Sequence, residues 1–216
     1  RGMVFGYIQG RVVDCPGSGP STRVGNPCDV ATGGKSETVV DYSVNGLEFS
    51  RHYNSATLES RGGLGVGWTH NFAARLFISG GVARGLSRPA GHHDPLASVS
   101  GRYITRSGSG IHVTQVGAEW VAFLNDGSQE VYDGNGRLVR LVTHAGATTT
   151  LGYNTAGQLA SVIGPHGHSL QLAYTASRVT TLTDPAGAHT VFSYDTQGNL
   201  TGVAYPGGTS RTYHYE

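Results

Sequence analysis

His92-His93-Asp94 and His166-Gly167-His168 are residues of the right type for zinc ligation, because imidazole and carboxylate groups are common zinc ligands. Both groups fall in segments that read as loops, among ten histidines in the chain, and no third anchored group completes either set. They are read as surface loop residues, and no metal is expected. Cys15 and Cys28 flank a Pro/Gly/Ser segment and cannot make a zinc site by themselves. A disulfide between them and two free thiols both stay open. The thiols are favoured, since a stapled secreted domain normally carries more cysteine. Thr32-Gly33-Gly34-Lys35-Ser36 has the ending of a phosphate loop, but the first glycine of that motif falls on Asp29. Gly62-Gly63-Leu64-Gly65-Val66-Gly67 fails the dinucleotide pattern, since its last glycine falls on Trp68. With no nucleophile elbow and no paired carboxylates on a recognisable scaffold, no catalytic, cofactor-binding or metal-binding residue is assigned. An enzyme is not expected from this stretch.

Charge adds a second exclusion. Lys+Arg number 15 and Asp+Glu 14, a formal net charge of +1, so no field directs the chain to nucleic acid or an anionic membrane. Charged residues make up 13%, against about 25% in typical domains. No apolar run approaches the roughly 20 residues of a membrane helix, and Arg1 to Gly10 lacks a signal-peptide layout. Met3 stands behind Arg1 and Gly2, so a start upstream is expected. Asn199-Leu200-Thr201 fits a glycosylation sequon, a pattern that arises easily by chance.

The elements behind these residues read as strands and turns. The 34 glycines imply many turns, and no segment holds a 3.6-residue apolar period. Residues 14 to 25, dense in proline and glycine, read as a linker. Glu37 to Val44 and Leu47 to Tyr53 read as a hairpin, with Asn45-Gly46 as a type I′ turn. Leu47, Phe49, Arg51 and Tyr53 then share one face. An inward Arg51 needs a carboxylate, which Asp41 or Glu48 can supply. Arg51, Tyr53 and Trp68 are read as structural. Gly62 to Gly67 reads as a flexible turn, Trp68 to Ile78 as a strand region, and Ser87 to Gly101 as a polar loop.

From Tyr132 the sequence repeats. Tyr132-Asp133-Gly134-Asn135-Gly136-Arg137-Leu138 is followed by Tyr153-Asn154-Thr155-Ala156-Gly157-Gln158-Leu159 and, with one deletion, Tyr174-Thr175-Ala176-Ser177-Arg178-Val179. Tyr194-Asp195-Thr196-Gln197-Gly198-Asn199-Leu200 is the fourth copy, and a fifth opens at Tyr215. The spacings are 21, 21, 20 and 21 residues. A second turn lies midway: Ala145-Gly146, Pro165-His166-Gly167, Asp184-Pro185-Ala186-Gly187 and Pro206-Gly207-Gly208. Each repeat is strand, turn, strand, turn; Asp or Asn bonds the backbone that follows it and Gly takes the left-handed position. One two-stranded hairpin is marginal alone, so neighbouring repeats must pair into one sheet. The break at Tyr215-Glu216 leads to the expectation of an unpaired edge and self-association.

The Tyr-Asp-x-x-Gly-x-Leu repeat at this period resembles the YD repeats of RHS proteins, which include bacterial polymorphic toxins, the C component of Tc toxins and the animal teneurins. Gly25-Asn26-Pro27-Cys28-Asp29-Val30-Ala31-Thr32-Gly33, Phe49 to Ser55 and Leu64 to Trp68 resemble the domain that precedes the repeats in bacterial members. The resemblance covers about Gly25 to Glu216 and implies an all-β fold, with antiparallel hairpin repeats in a continuous curved sheet that forms part of a hollow shell. Its structural motif residues here are Tyr132, Asp133, Gly136, Tyr153, Gly157, Tyr174, Tyr194, Asp195 and Gly198, with Arg51, Tyr53, Gly65, Gly67 and Trp68 before the repeats.

The implied organisation is a linker or end of a preceding domain over 1–24, a pre-repeat β domain over 25–101 and repeats over 102–216. The implied function is a non-catalytic wall that encloses and helps deliver a C-terminal toxin domain of the same polypeptide, in type VI secretion or interbacterial competition. Its partners are then that cargo, further RHS repeats, an upstream PAAR domain and a secretion spike. The protein would be made in a bacterial cytoplasm and secreted or delivered to a target cell. The family's self-cleaving segment lies past Glu216, so no cleavage residue carries over. The competing expectation is an extracellular adhesion module whose tyrosine and histidine rows bind carbohydrate or protein.

Overall fold

The computed structural model describes residues 3–5, 35–56 and 61–215. The 14–25 linker, Cys15 and Cys28 lie outside the described residues. Nearly all regular structure is strand, and the one helical element among the described residues is a 3-10 turn at Pro89–Gly91. The strands are β1 (Met3–Phe5), β2 (Ser36–Val44), β3 (Leu47–Asn54), β4 (Trp68–His70), β5 (Arg75–Ser79), β6 (Val82–Ser87), β7 (His93–Val99), β8 (Arg102–Thr105), β9 (His112–Val116), β10 (Glu119–Phe123) and β11 (Gln129–Tyr132). The repeats continue as β12 (Leu138–Val142), β13 (Thr148–Tyr153), β14 (Leu159–Ile163), β15 (Ser169–Thr175), β16 (Arg178–Thr183), β17 (His189–Tyr194), β18 (Leu200–Ala204) and β19 (Ser210–Tyr215).

Strands β2, β3 and β4 form a three-stranded sheet. Strands β5 to β19 follow one another in a second sheet, and β1 joins at the β19 side to make sixteen. The expectation of an unpaired last strand is therefore corrected for its second half: Met3–Phe5 runs antiparallel along Tyr213–Tyr215.

The long sheet coils. Leu76 N–H donates to the Gly136 carbonyl at 2.9 Å and Arg75 bridges Arg137, so β5 reaches back to the turn before β12. The coil does not close, since its ends are β1 and β5. Twist accumulated over many strands is the physical source of such curvature.

Alternation decides what each face meets. In β15, Leu170 and Leu172 are buried while Gln171 and Ala173 are exposed. The inward residues of the repeats, Val162, Leu170, Leu182, Phe192, Leu200 and Val203 among them, join one apolar core with Leu47, Phe49, Tyr53 and Trp68 of the small sheet. In this stretch the concave face is filled by the three-stranded sheet. Asn45 and Gly46, at φ 51° and 75°, make the β2–β3 turn, the positive pair that a type I′ turn needs. Ser50 is buried as well, and Asn71, next to it along the β4 edge of β3, accepts from its N–H.

Three segments differ from the sequence reading. Trp68 to Ile78 is two strands in different sheets, because a turn closed by Ala73 N–H on the His70 carbonyl redirects the chain. Ser87 to Gly101, read as a loop, contains β7. Its polar composition and Pro95 hide it: β6 pairs with β7 up to Pro95 and β8 pairs from Leu96 onward, so proline stands where pairing changes sides. Gly62 to Gly67 is a packed turn. A Cβ on Gly65 would meet the Gly198 carbonyl at 2.9 Å, and one on Gly67 the Tyr53 ring at 2.8 Å.

Candidate functional site

The repeat motif produces a hydrogen-bonded ladder. Each repeat hairpin shifts register at its tyrosine, between Val131 and Tyr132, Gly152 and Tyr153, Ala173 and Tyr174, and Ser193 and Tyr194. A bulge bends the strand and re-aims its side chain. The hydroxyls of Tyr153, Tyr174, Tyr194 and Tyr215 then donate to the carbonyls of Leu138, Leu159, Val179 and Leu200, at 2.6, 2.9, 2.7 and 2.7 Å. Burial raises Tyr153 to about 12 and raises the other three as well, so all four hydroxyls stay protonated donors. Tyr132 instead donates to Glu130 at 2.7 Å, and Glu130 pairs with Arg88 at 2.8 Å.

The acidic positions close the turns. Asp133 Oδ1 accepts from the backbone of Asn135 and Arg137, and its Oδ2 pairs with the Arg137 guanidinium. Burial opposes ionisation of Asp133, but the Arg137 backbone and side-chain bonds outweigh it and hold the pKa low. Asp195 does the same for Gln197 and Asn199. Gly136, Gly157 and Gly198 take φ of 76°, 76° and 83°, which an L-residue enters at a cost. In the third copy the deletion leaves a two-residue turn, with Thr175 opposite Arg178 and Ala176 at φ 52°. Asn199 of the sequon bonds Asp195 through its Nδ2.

Arg51 is where the small sheet meets the repeats. It is fully buried, and of the two carboxylates offered by the sequence it takes Asp41, with Nη2 donating to Oδ1 at 2.9 Å. The same Nη2 reaches the hydroxyls of Tyr205 and Tyr213 at 3.2 Å each, and Tyr205 donates to Asp41 at 2.9 Å. The guanidinium lies 4.8 Å from the centre of the Trp68 ring. Burial works against its charge, but Asp41 prevails and the pKa rises. Trp68, packed on Tyr53 at 5.3 Å, donates its indole N–H to Tyr215 at 3.0 Å.

The histidine groups fall in different elements, His92 just after the 3-10 turn with His93 and Asp94 opening β7, and His166 and His168 in the β14–β15 turn. Among the described residues no group of three or more His, Cys, Asp and Glu is placed to hold a metal. Sequence reasoning missed Tyr205 and Tyr213 as partners of Arg51. Their signal is that both fall out of phase with the repeat tyrosines, Tyr205 standing where earlier copies put Gly164 and Asp184.

A family model described as RHS Repeat matches residues 132–169 and 174–210. A second, described as a domain of unknown function (DUF6531), matches residues 25–94. The chain is an RHS-repeat protein. Its matched repeats are the tyrosine-laddered hairpins, and the pre-repeat match spans the three-stranded sheet and the Gly-rich turn. No curated protein matches the chain. Two solved structures are similar, titled "Crystal Structure of TcdB2-TccC3-TEV" and "Crystal Structure of TcdB2-TccC3-Cdc42", each at 13% identity and a TM-score of 0.23. The matches cover 92% and 87% of this RHS-repeat chain but only 15% and 12% of those chains. At that TM-score the superposition is poor, and the assignment rests on the two family models. The RHS repeats here build a scaffold wall of the shell type.

Proposed function

We propose that this RHS-repeat chain is a stretch of shell wall that encloses a toxic domain of the same polypeptide and helps deliver it to a target cell. The observation that carries this reading is the uniform ladder: each repeat pairs with the last in the same register and is tied to it by one tyrosine hydroxyl. Such a wall extends by strand addition, without needing new contacts for each repeat. Residues 25–101 serve as the pre-repeat domain and 102–216 as the repeats. Arg51, Tyr53, Gly65, Gly67 and Trp68 join the two. The filled concave face supports a role for the three-stranded sheet as a plug at this part of the shell. The repeat tyrosines turn their hydroxyls inward onto carbonyls, which speaks against a binding face built from an exposed aromatic row. Further repeats, a PAAR domain and a type VI spike complete the proposed assembly in competition between bacteria.

Limited proteolysis of the full-length protein tests the wall. The domain that follows the repeats is expected to be cut at least tenfold more slowly inside the intact protein than when expressed without them. Equal rates overturn the reading. Delivery is read separately, as loss of competitor killing when the type VI apparatus is inactivated.

A further inference from the structure

Strand β19 is built like the repeat strands before it. Residues 210–212 pair back to β18, and the Tyr215 hydroxyl is seated on the Leu200 carbonyl at 2.7 Å. In the preceding repeat β17 divides its length in the same way: residues 189–191 pair back to β16, and residues 191–194 pair forward to β18. One period on, the forward stretch is 212–215. Met3–Phe5 lies on three of those positions, antiparallel, as β18 lies on β17. Strand β1 therefore fills the slot in which a repeat seats its next strand.

The fit is incomplete. At each repeat tyrosine from Tyr132 to Tyr194 the pairing shifts register, so that Leu200 stands opposite Tyr194 and Gly202, not Thr201, opposite Ser193. Met3, Val4 and Phe5 instead meet Tyr215, His214 and Tyr213 one to one. Among the described residues Thr212 pairs with β18 alone. A repeat strand also arrives through its own turn, as at 195–199, where Asp195 N–H donates to the Asn199 carbonyl and Gly198 N–H to the Asp195 carbonyl. Strand β1 comes from the opposite end of the sequence and has no such turn.

We propose that the β19 edge is a strand-exchange site, on which Met3–Phe5 is a guest that gives way to the first strand of a Tyr-Asp-x-x-Gly-x-Leu hairpin. Main-chain bonds supply the attraction in both cases. The hairpin prevails because it fills the whole forward stretch with the register shift in place, and because a short turn closes at less entropic cost than a long connection. Until then the guest covers an edge that would otherwise pair with another chain. The inference rests on the reading of the repeats as a wall that extends by strand addition, and not on what the wall encloses.

Amide hydrogen exchange tests the site on two chains, the present one and one lengthened past Glu216 by a second copy of residues 196–215, for which Tyr215-Glu216 supplies the missing Tyr-Asp positions. The amides of Met3–Phe5 should exchange at least tenfold faster in the lengthened chain, with the added strand protected in their place. Val4→Pro combined with Phe5→Pro removes whichever of two successive N–H groups faces β19. It should speed exchange at 213–215 at least tenfold in the present chain and less than twofold in the lengthened one. The proposal is overturned if Met3–Phe5 keeps its protection beside the added repeat, if the added strand is unprotected, or if the double proline leaves 213–215 unchanged in the present chain. Protection at 213–215 that rises with protein concentration overturns it as well, since the guest strand then belongs to a second copy. None of these results bears on enclosure of a toxic domain, and equal proteolysis rates for that domain leave the exchange standing.

Discussion

The hydroxyl of Tyr174 donates to the carbonyl of Leu159, 15 residues earlier, at 2.9 Å. Tyr153, Tyr194 and Tyr215 repeat the bond at the same separation. Leu159 closes the hairpin that Tyr153 opens, so each bond ties a repeat to the turn of the one before it. Removing one hydroxyl leaves a half-buried carbonyl short of a donor, and a net hydrogen bond contributes about 1 kcal/mol. Tyr174→Phe should therefore lower stability by about 1 kcal/mol in urea unfolding, with the ring still packed. Should the variant match the parent, the ladder contributes nothing to cohesion between repeats.

The period, the turns and the hairpin over Glu37 to Tyr53 were legible because each depends on local chemistry: φ > 0 pairs, Asx turns and alternation. The tyrosine spacing was visible, but not the carbonyl each hydroxyl chooses, since that depends on a bulge which no residue type marks. The seat of Arg51 was half legible. Its need for a carboxylate follows from burial, and Asp41 lies on the paired strand, but Tyr205 and Tyr213 come from 154 and 162 residues away. The contact of β5 with the turn before β12 was not legible at all, because Leu76 and Gly136 meet only once the sheet coils.

The Arg51–Asp41 pair has no exposed side-chain surface on either partner. Removing one partner of a buried pair strands the other charge, at about 3–5 kcal/mol. Asp41→Ala should be destabilised by that amount. Arg51→Met with Asp41→Leu should recover part of it, because no charge is then left without a counterion. A double variant less stable than Asp41→Ala alone would show that the guanidinium matters chiefly through its rings and tyrosines.

His70 makes the fold sensitive to acid. Burial pushes its pKa from 6.5 down to about 3, so the unfolded chain takes up the proton first as the pH falls. Its contribution is fully present above 6.5 and is lost progressively between there and 3. At pH 5 the loss is about 2 kcal/mol relative to pH 7.5. Asp133 and Asp195, held below their usual values by hydrogen bonds from their turns, stay ionised between pH 7.5 and 5. His70→Phe keeps a ring against Phe49 and should flatten the decline in urea midpoint between pH 7.5 and 5. The slope that survives belongs in part to His52, which burial also lowers. An unchanged slope in the variant would mean that water reaches the ring.

Gly136 and Gly146 separate backbone strain from close approach. Both have positive φ, at 76° and 84°, so an alanine at either costs about 1 kcal/mol for conformation. A Cβ on Gly146 meets nothing within 4 Å, whereas one on Gly136 would overlap the Leu76 carbonyl oxygen. That carbonyl belongs to β5, whose Leu76 N–H donates back to Gly136, so the methyl group must push the strand off the turn that anchors it. Gly136→Ala should cost about 3 kcal/mol in total, the excess coming from overpacking and the loosened bond. Amide exchange discriminates further: the Leu76 N–H should lose protection in Gly136→Ala and keep it in Gly146→Ala. Equal protection in the two would mean that β5 is held by β6 alone, and that the contact which coils the sheet back on itself carries no load.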